Sequence, residues 1–458
     1  MQPKKNTIKD TNKIVRNPNV GLPEDFELSQ EFIDAFNLIE STRRNVYLTG
    51  DAGTGKSTFL KYLVANTKKK VVVLAPTGVA ALNVGGQTIH SFFGLPPTFI
   101  QESDARRVSH GKRYLINALD TVIIDEASML RADLMDAVDY ALRLNRDKMH
   151  IPFGGVQIVL IGDLHQLPPV IDKGLEEIMT QVYKSPYFFD ANVFDEAEVL
   201  YVEMTKQYRQ TDTKLIELLS CIRNKNLSDA YLKILNQRVT DEEVDGNPIV
   251  LTMTNKDASY INEGKLNELK SPEHHFEATI SGRFHEEGSY PAEIILKLKK
   301  GARVMLLRND SEHRWVNGTM AVVDELSEDS VKIAVGGNIY PVPIYKWEKI
   351  EYKYDRLKGT IEKEVIGVFG QYPLKLAWAI TVHKSQGQTF DAIVIITGRG
   401  AFAHGQIYVG LSRCRTFEGI FLLNPIEHRD IIFDKRVDGF KNKFKKYVNL
   451  DEKIIGRV

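Results

Sequence analysis

The chain has 458 residues, 43% of them apolar and 26% charged, and its 60 basic side chains are balanced by 60 acidic ones. That length points to about three domains rather than one core, and the neutral balance excludes binding to nucleic acid through net charge alone, so any basic surface must be a local groove. No apolar run is long enough to span a bilayer, and Cys221 and Cys414 have neither metal nor redox spacing, which excludes a disulfide framework and fits a reducing cytoplasm.

Residues 1–22 are polar and rich in Asn and Lys, and read as a mobile, solvated tail; the weaker alternative for Lys4, Lys5, Lys9, Lys13 and Arg16 is a transit peptide. From 23 to 200 the pattern changes. Val46–Thr49, Val71–Leu74, Val122–Ile124 and Ile158–Ile161 are nearly continuous apolar runs, as parallel strands buried on both faces require. Each is followed by Gly-rich, polar or acidic residues, at the strand ends where open α/β sheets bind ligands. A second set of such runs begins at Ile249–Thr252 and resumes with Leu376–Ile380, Ile393–Ile396 and Ile420–Leu423. Residues 275–370 between them carry short alternating segments with turns at Gly318, Gly336 and Gly337, the signature of a small β-barrel inserted into the second α/β unit. The expected order is a first α/β domain at 23–200, a second at 201–274 and 371–425 interrupted by the β insertion, and a basic extension at 426–458.

Gly50-Asp51-Ala52-Gly53-Thr54-Gly55-Lys56-Ser57 fits the phosphate-binding loop, placed between the strand at Val46–Thr49 and a helix from Lys56. Glycines let the backbone wrap phosphates so that N–H groups, with Thr58 continuing the helix start, face negative charge. Lys56 would reach the β- and γ-phosphates, and the Ser57 hydroxyl would hold Mg²⁺. Asp125, after the strand ending at Ile124, would share that Mg²⁺, and Glu126 would polarise the attacking water. Gln166, in Gly162-Asp163-Leu164-His165-Gln166-Leu167-Pro168-Pro169, stands where a side chain can sense the γ-phosphate. These residues make the chain a nucleotide hydrolase of the P-loop class.

Phe92, Phe93, Pro96, Pro97 and Phe99 form an aromatic-apolar cluster beside Arg106, Arg107, Lys112 and Arg113. Aromatic faces stack bases without sequence preference. Residues from about 93 to 116 therefore read as a small wedge for splitting duplex, or else as a local mini-core that holds a loop together.

Taken in order, the P-loop, Ala75-Pro76-Thr77-Gly78-Val79-Ala80-Ala81, Thr88-Ile89-His90-Ser91-Phe92-Phe93, Asp125-Glu126-Ala127-Ser128-Met129-Leu130 and Gly162–Pro169 resemble superfamily 1 helicases. Gln207-Tyr208-Arg209, Thr381-Val382-His383-Lys384-Ser385-Gln386-Gly387 and Tyr408-Val409-Gly410-Leu411-Ser412-Arg413 continue the likeness, as do Lys300–Leu306 and Val316–Thr319 in the insertion. From about 24 to 424 the chain is similar to the Pif family of 5′-to-3′ DNA helicases, with phage Dda and RecD-like enzymes more distant. It lacks the long N-terminal extension of the nuclear members, which points to a bacterial nucleoid or a phage-infected cell.

The resemblance implies two RecA-like domains, the first with a wedge insertion and the second with an SH3-like barrel, and ATP with Mg²⁺ in the cleft between them. It implies that Arg209 and Arg413 reach that cleft as arginine fingers and that Gly387 lies at the nucleotide. Gln30 resembles the glutamine that reads adenine, its other reading being a helix-start polar residue. Pro76, Thr77, Thr88, His90 and Ser91 on the first domain, with Phe92, Phe93 and Pro97, and His383, Lys384 and Ser385 on the second, are the implied contacts to single-stranded DNA. The implied partners are single-stranded DNA and forked or tailed duplex, met by a monomer. Two other classes compete. One is a AAA-type ATPase that remodels assemblies without unwinding, opposed by the motifs after Gly162. The other is a non-enzymatic single-strand binder, opposed by the intact Gly55, Lys56, Ser57, Asp125 and Glu126.

Overall fold

The computed structural model describes Leu22 and residues 28–447, apart from positions 97, 102–103, 172, 211, 243, 245–247, 285–289, 313, 316, 356–357, 359 and 399. The tail at 1–22, apart from Leu22, lies outside the described residues, as do Pro97 and Val316.

The first body runs through α1 (Gln30–Ser41), β1 (Asn45–Gly50), α2 (Lys56–Asn66), β2 (Val71–Ala75), α3 (Gly78–Asn83), β3 (Gln87–Thr88) and α4 (Ile89–Phe93). It continues with α5 (His110–Ala118), β4 (Thr121–Ile124), α6 (Ala132–Asn145), β5 (Gln157–Ile161), α7 (Lys173–Val182) and β6 (Val199–Met204). Its strands are parallel, in the order β6-β1-β5-β4-β2-β3, so the P-loop strand is interior. Side chains alternate faces along a strand, and here both faces are apolar. Val46, Leu48, Val73, Ile123, Val159 and Leu200 face a core built with α1 and α2. Tyr47, Val72, Leu74, Val122, Ile158 and Tyr201 face the opposite core. The continuous apolar runs of the sequence are the direct result.

The second body is a narrower parallel sheet. It comprises α8 (Thr213–Arg223), α9 (Asp229–Asn236), β7 (Ile249–Thr252) and α10 (Asn255–Glu268), then an all-β excursion, before its sheet is completed. The excursion contains β8 (Glu273–Glu277), β9 (Thr279–Gly282), β10 (Ile295–Lys299), β11 (Arg303–Leu306), β12 (Met320–Leu326), β13 (Val331–Val335), β14 (Asn338–Val342), β15 (Tyr345–Asp355), β16 (Thr360–Gln371) and β17 (Leu374–Leu376). Strands β14-β13-β12-β11-β17 form one antiparallel sheet, and β15 and β16 form a long hairpin with β9 alongside. The chain then returns through β18 (Ala379–Thr381), β19 (Ile393–Ile396), α11 (Gln406–Leu411) and β20 (Ile420–Leu422), giving the order β18-β7-β19-β20.

Three boundaries differ from the sequence reading. Residue 200 falls inside β6, which pairs with β1 along its whole length and belongs to the first sheet. The run Leu376–Ile380 is two strands: Leu376 pairs with Val304 in the insertion, and Ala379 and Ile380 pair with Val250 and Leu251. The break between them is held by Asn262, which accepts the N–H groups of Trp378 and Ala379 through its Oδ1. The C-terminal stretch, as far as it is described, is not a free basic extension. After β20 it crosses back to the first domain, where Phe440 of α12 (Phe440–Lys443) and Phe444 just after it are buried beside Tyr47 and Phe188, and β21 (Lys445–Lys446) adds an outer strand to β6. Its lysines meet acids there: Lys443 with Asp195, Lys445 with Glu198 and Lys446 with Glu203. A sheet edge that would invite pairing is thereby covered.

Candidate active site and nucleic-acid interface

β1 delivers the P-loop at the carboxyl end of the first sheet. Gly55 caps α2 in the left-handed region at φ 84°, so Lys56 to Thr58 form the helix's first turn. Gly53 is required twice over. Its φ is +91°, and a Cβ there would stand 2.8 Å from Arg209 Cβ and 2.7 Å from Gln210 Oε1 of the second domain. The loop also receives that domain directly, since the Tyr208 N–H donates to the Gly53 carbonyl at 2.9 Å.

The two domains enclose a cavity of about 510 Å³. From the first come Ala52, Gly53, Gly55, Lys56, Ser57, Thr58, Asp125, Glu126 and Gln166; from the second come Arg209, Gly387 and Arg413. Three predicted residues do not join them. Thr54 is buried behind the loop, its hydroxyl donating to the Asp51 carbonyl, and Gly50 ends the strand against Met204. Gln30 is exposed and donates to Asp34 one turn along α1, away from the cavity lining. Its contact is the local helix-start one. Tyr208, Asp163, Thr389 and Arg415 line the cavity and were not assigned there. The first two lie inside runs already singled out, so their positions were marked without their roles.

The cavity's electrostatics suit a triphosphate with its metal. Lys56 Nζ donates to the carbonyls of Gly50 and Asp51 at 2.7 and 2.9 Å. Burial pulls its pKa down, while Asp163 and Glu126 act to keep it charged. Arg413 is 1% exposed and surrounded by carbonyls; burial, and then Arg209, push it down to about 9. Arg209 Nη1 is buried without a hydrogen-bond partner among the described residues. Two close guanidiniums and a buried ammonium form an anion site. Opposite them, burial and then Glu126 raise Asp125 to about 7, and burial raises Glu126 against the pull of Lys56 and Arg413. Two adjacent carboxyls that are costly to ionise, with Ser57 in the same lining, fit a divalent cation. Glu126 also holds a left-handed backbone, φ 51°, unusual for a residue with a Cβ and typical of strain kept at working sites. Gln166 lies beyond β5 with its Nε2 donating to Asp163 at 3.2 Å.

The predicted DNA contacts divide. Thr77 and Thr88 cap α3 and α4, accepting from Ala80 N–H and Ser91 N–H, and the Ser91 hydroxyl accepts from Gln87. Pro76, Thr77, His90 and Ser91 are partly exposed, while Thr88 is nearly covered. On the second domain His383 and Lys384 sit in the turn after β18, with Lys384 exposed. Ser385 is a correction: its side chain is wholly buried, its hydroxyl donates to the Val382 carbonyl, and its own carbonyl accepts from Arg413 Nη1 at 3.4 Å. It joins the His383–Lys384 turn to Arg413, and its side chain has no surface open to a ligand.

Phe92 and Phe93 are also corrected. They are 0% and 3% exposed, lie edge-to-face 4.8 Å apart, and pack with Ile100, Leu115 and Ile116 in the main core. A ring with no open face cannot stack a base. Phe99 is partly buried against the same core, so of the two readings the mini-core describes these rings. The hairpin β15–β16 covers this part of the first domain. Tyr352 meets Phe92 at 6.1 Å and accepts the Val73 N–H, Lys363 donates to the Gly85 carbonyl, and Glu351 lies 3.9 Å from Lys112.

Comparison with known proteins agrees with this geometry. The family described as PIF1-like helicase matches residues 27–243, and the UvrD-like helicase C-terminal domain matches 376–416. The ATP-dependent DNA helicase Pif1 of Bdellovibrio bacteriovorus is 34% identical over 436 residues, covering 92% of this chain and 93% of its own length. The human ATP-dependent DNA helicase PIF1 is 34% identical over 83% of this chain and 58% of its own length. Among solved structures, Bacteroides sp. Pif1 in complex with ADP-AlF4 has a TM-score of 0.84 at 39% identity, covering 91% of this chain and 97% of that one. Bacteroides Pif1 bound to ssDNA, at the same identity and coverage, has a TM-score of 0.68. With a P-loop cleft closed by two arginines and a relative matched over almost its full length, the chain belongs to the PIF1-like helicase family.

Proposed function

We propose that this helicase hydrolyses ATP between its two RecA-like domains and uses the cycle to travel 5′-to-3′ along single-stranded DNA, as a monomer, into forked or tailed duplex. The observation that carries the proposal is the composition of the cavity. Lys56, Glu126 and Gln166 stand on one domain and Arg209 and Arg413 on the other, so turnover requires both to be in place. Asp125 and Ser57 would hold Mg²⁺, which would supply positive charge to the phosphates. Glu126 orients water, Lys56 holds the phosphate chain, and the arginines stabilise charge on the transferred group only when the cleft is shut.

Arg413 is tied through the Ser385 and Gln388 carbonyls to the turn that presents His383 and Lys384. A strand gripped at that turn is thereby two bonds from the finger, which supports DNA-dependent turnover. On the first domain, Pro76, Thr77, Thr88, His90 and Ser91 are the opposing grip, and all but Thr88 are partly exposed. The unpaired Cys221 and Cys414 favour the cytoplasm, and no described helix is long and apolar enough to cross a membrane.

Direction rests on kinship with the Pif family. A strand-displacement assay with the single-stranded tail on either the 5′ or the 3′ side tests it: unwinding is expected from 5′ tails, and unwinding from 3′ tails alone would reverse the assignment.

A further inference from the structure

Arg223, the last residue of α8 in the second domain, is absent from the cavity lining, yet its side chain crosses to the first domain and is 13% exposed there. Its Nη1 lies 2.5 Å from Asp51 Oδ1 in the P-loop and 3.7 Å from Glu203 Oε1 on β6. Its Nη2 lies 3.9 Å from Asp163 Oδ1. Tyr408, on α11 of the same domain, arrives at the same place. Its hydroxyl accepts the Ala52 N–H at 3.0 Å and directs its own proton to Asp163 Oδ2, 3.5 Å away. Asp163 has no exposed side-chain surface, and it accepts from the His165 N–H and from Nε2 of Gln166.

A buried carboxylate is stable only when paired and hydrogen-bonded. Burial opposes ionisation of Asp163, but Arg223, and then Lys56, hold it below the usual carboxylate range. The rigid fork of a guanidinium can hold two carboxylates at once, which an ammonium cannot do with fixed geometry. Arg223 therefore joins the P-loop shoulder at Asp51 to the acid that holds Gln166, and it does so from the other domain. Arg209 and Arg413 face the cavity; Arg223 acts from outside it.

We propose that Arg223 is a positioning residue which, with Tyr408, transmits the placement of the second domain to the P-loop and to Gln166, so that cleft closure sets the phosphate sensor as well as the fingers. The inference rests on hydrolysis between the two domains. It makes Asp163 the shared anchor: both contacts from the second domain end on it, and the sensor is bonded to it.

The test uses the full chain with single-stranded DNA in excess. Arg223→Gln should lower kcat of the DNA-stimulated ATPase tenfold or more while leaving KM for ATP and the affinity for a fluorescent ADP within about threefold. Arg223→Lys should recover part of kcat, since it restores charge without the fork. Asp163→Asn combined with Arg223→Gln should cost little more than the worse single change, as expected for residues that act as one unit. Tyr408→Phe, which removes a single oxygen and spares the packing, should lower kcat about two- to fivefold and serves if Arg223→Gln fails to fold. A parent-like kcat in both Arg223→Gln and Tyr408→Phe would overturn the proposal, as would strictly multiplicative losses in the double variant or a fall in ADP affinity that matches the fall in kcat. Arg413→Ala is the control. If it too retains full turnover, the interdomain reading itself fails; if it loses turnover while Arg223→Gln does not, only the positioning role fails.

Discussion

The nucleotide cavity and the aromatic segment after Phe92 were both prominent in the sequence, yet the structure treats them in opposite ways. Lys56, Ser57, Asp125, Glu126 and Gln166 reach the cavity they were assigned to. Phe92 and Phe93 turn inward and become part of the core. The difference is one of physical cause. A P-loop specifies backbone conformation as well as side chains: Gly53 and Gly55 sit at φ values that exclude most residues, and the loop can then point only one way. A cluster of phenylalanines specifies only that apolar area will leave water. Whether it does so against a base or against a leucine is decided by what the fold places nearby, and here α5 and the β15–β16 hairpin are nearer.

The same distinction explains what was legible elsewhere. The parallel strands could be read because both faces of the sheet are covered, leaving unbroken apolar runs such as Val71–Leu74. The split at Trp378 was not legible, since Leu376–Ile380 is continuous in hydropathy and the break is made by Asn262 on a distant helix. Nor was the return of the C-terminus to β6. Its apolar anchors, Val437, Phe440 and Phe444, are spaced among charged residues, and their partners lie more than two hundred residues earlier. Arg223 carried no motif of its own; only its three carboxylate neighbours distinguish it from any arginine at a helix end.

The comparison can be broken at its strong side first. Lys56→Ala removes the ammonium at the P-loop and should abolish measurable ATP turnover, with and without DNA, while the melting temperature stays within a few degrees. A coupled-enzyme ATPase assay and a thermal melt on the same preparation check it. Substantial turnover in the variant would mean that the cavity is not the catalytic one, and the contrast with the aromatic segment would lose its basis.

At the weak side the expected loss lies in stability. Phe92→Ala empties a fully buried ring position, and such changes cost about 3–5 kcal/mol. Chemical denaturation should register that loss as a lower midpoint. The fraction that remains folded should unwind the same number of base pairs per ATP as the parent, because the ring has no face to offer a base. The opposite result, an unchanged midpoint with fewer base pairs opened per ATP, would return Phe92 to the wedge.

The smallest effect is expected at Tyr114, and it sharpens the comparison most. This ring lies on α5 in the same segment as the buried phenylalanines, yet it is 41% exposed, so it keeps an aromatic surface that solvent or a base can reach. Among the phenylalanine and tyrosine rings of residues 93–116, exposure selects this one for stacking at a fork. Removing it should leave the core intact, since Leu115 and Ile116, not Tyr114, carry the buried side of α5. A base stacked on an aromatic contributes about 1–3 kcal/mol, and a contact near the lower end of that range made only once per step would slow strand separation a fewfold without touching hydrolysis. Tyr114→Ala should therefore unwind tailed duplex two- to fivefold more slowly, with DNA-stimulated ATPase and the denaturation midpoint close to the parent. Replacement by Phe should restore the rate, because stacking needs the ring and not the hydroxyl. Equal rates for the Ala and Phe variants and the parent would show that the segment supports the first domain's core and takes no part in holding strands apart.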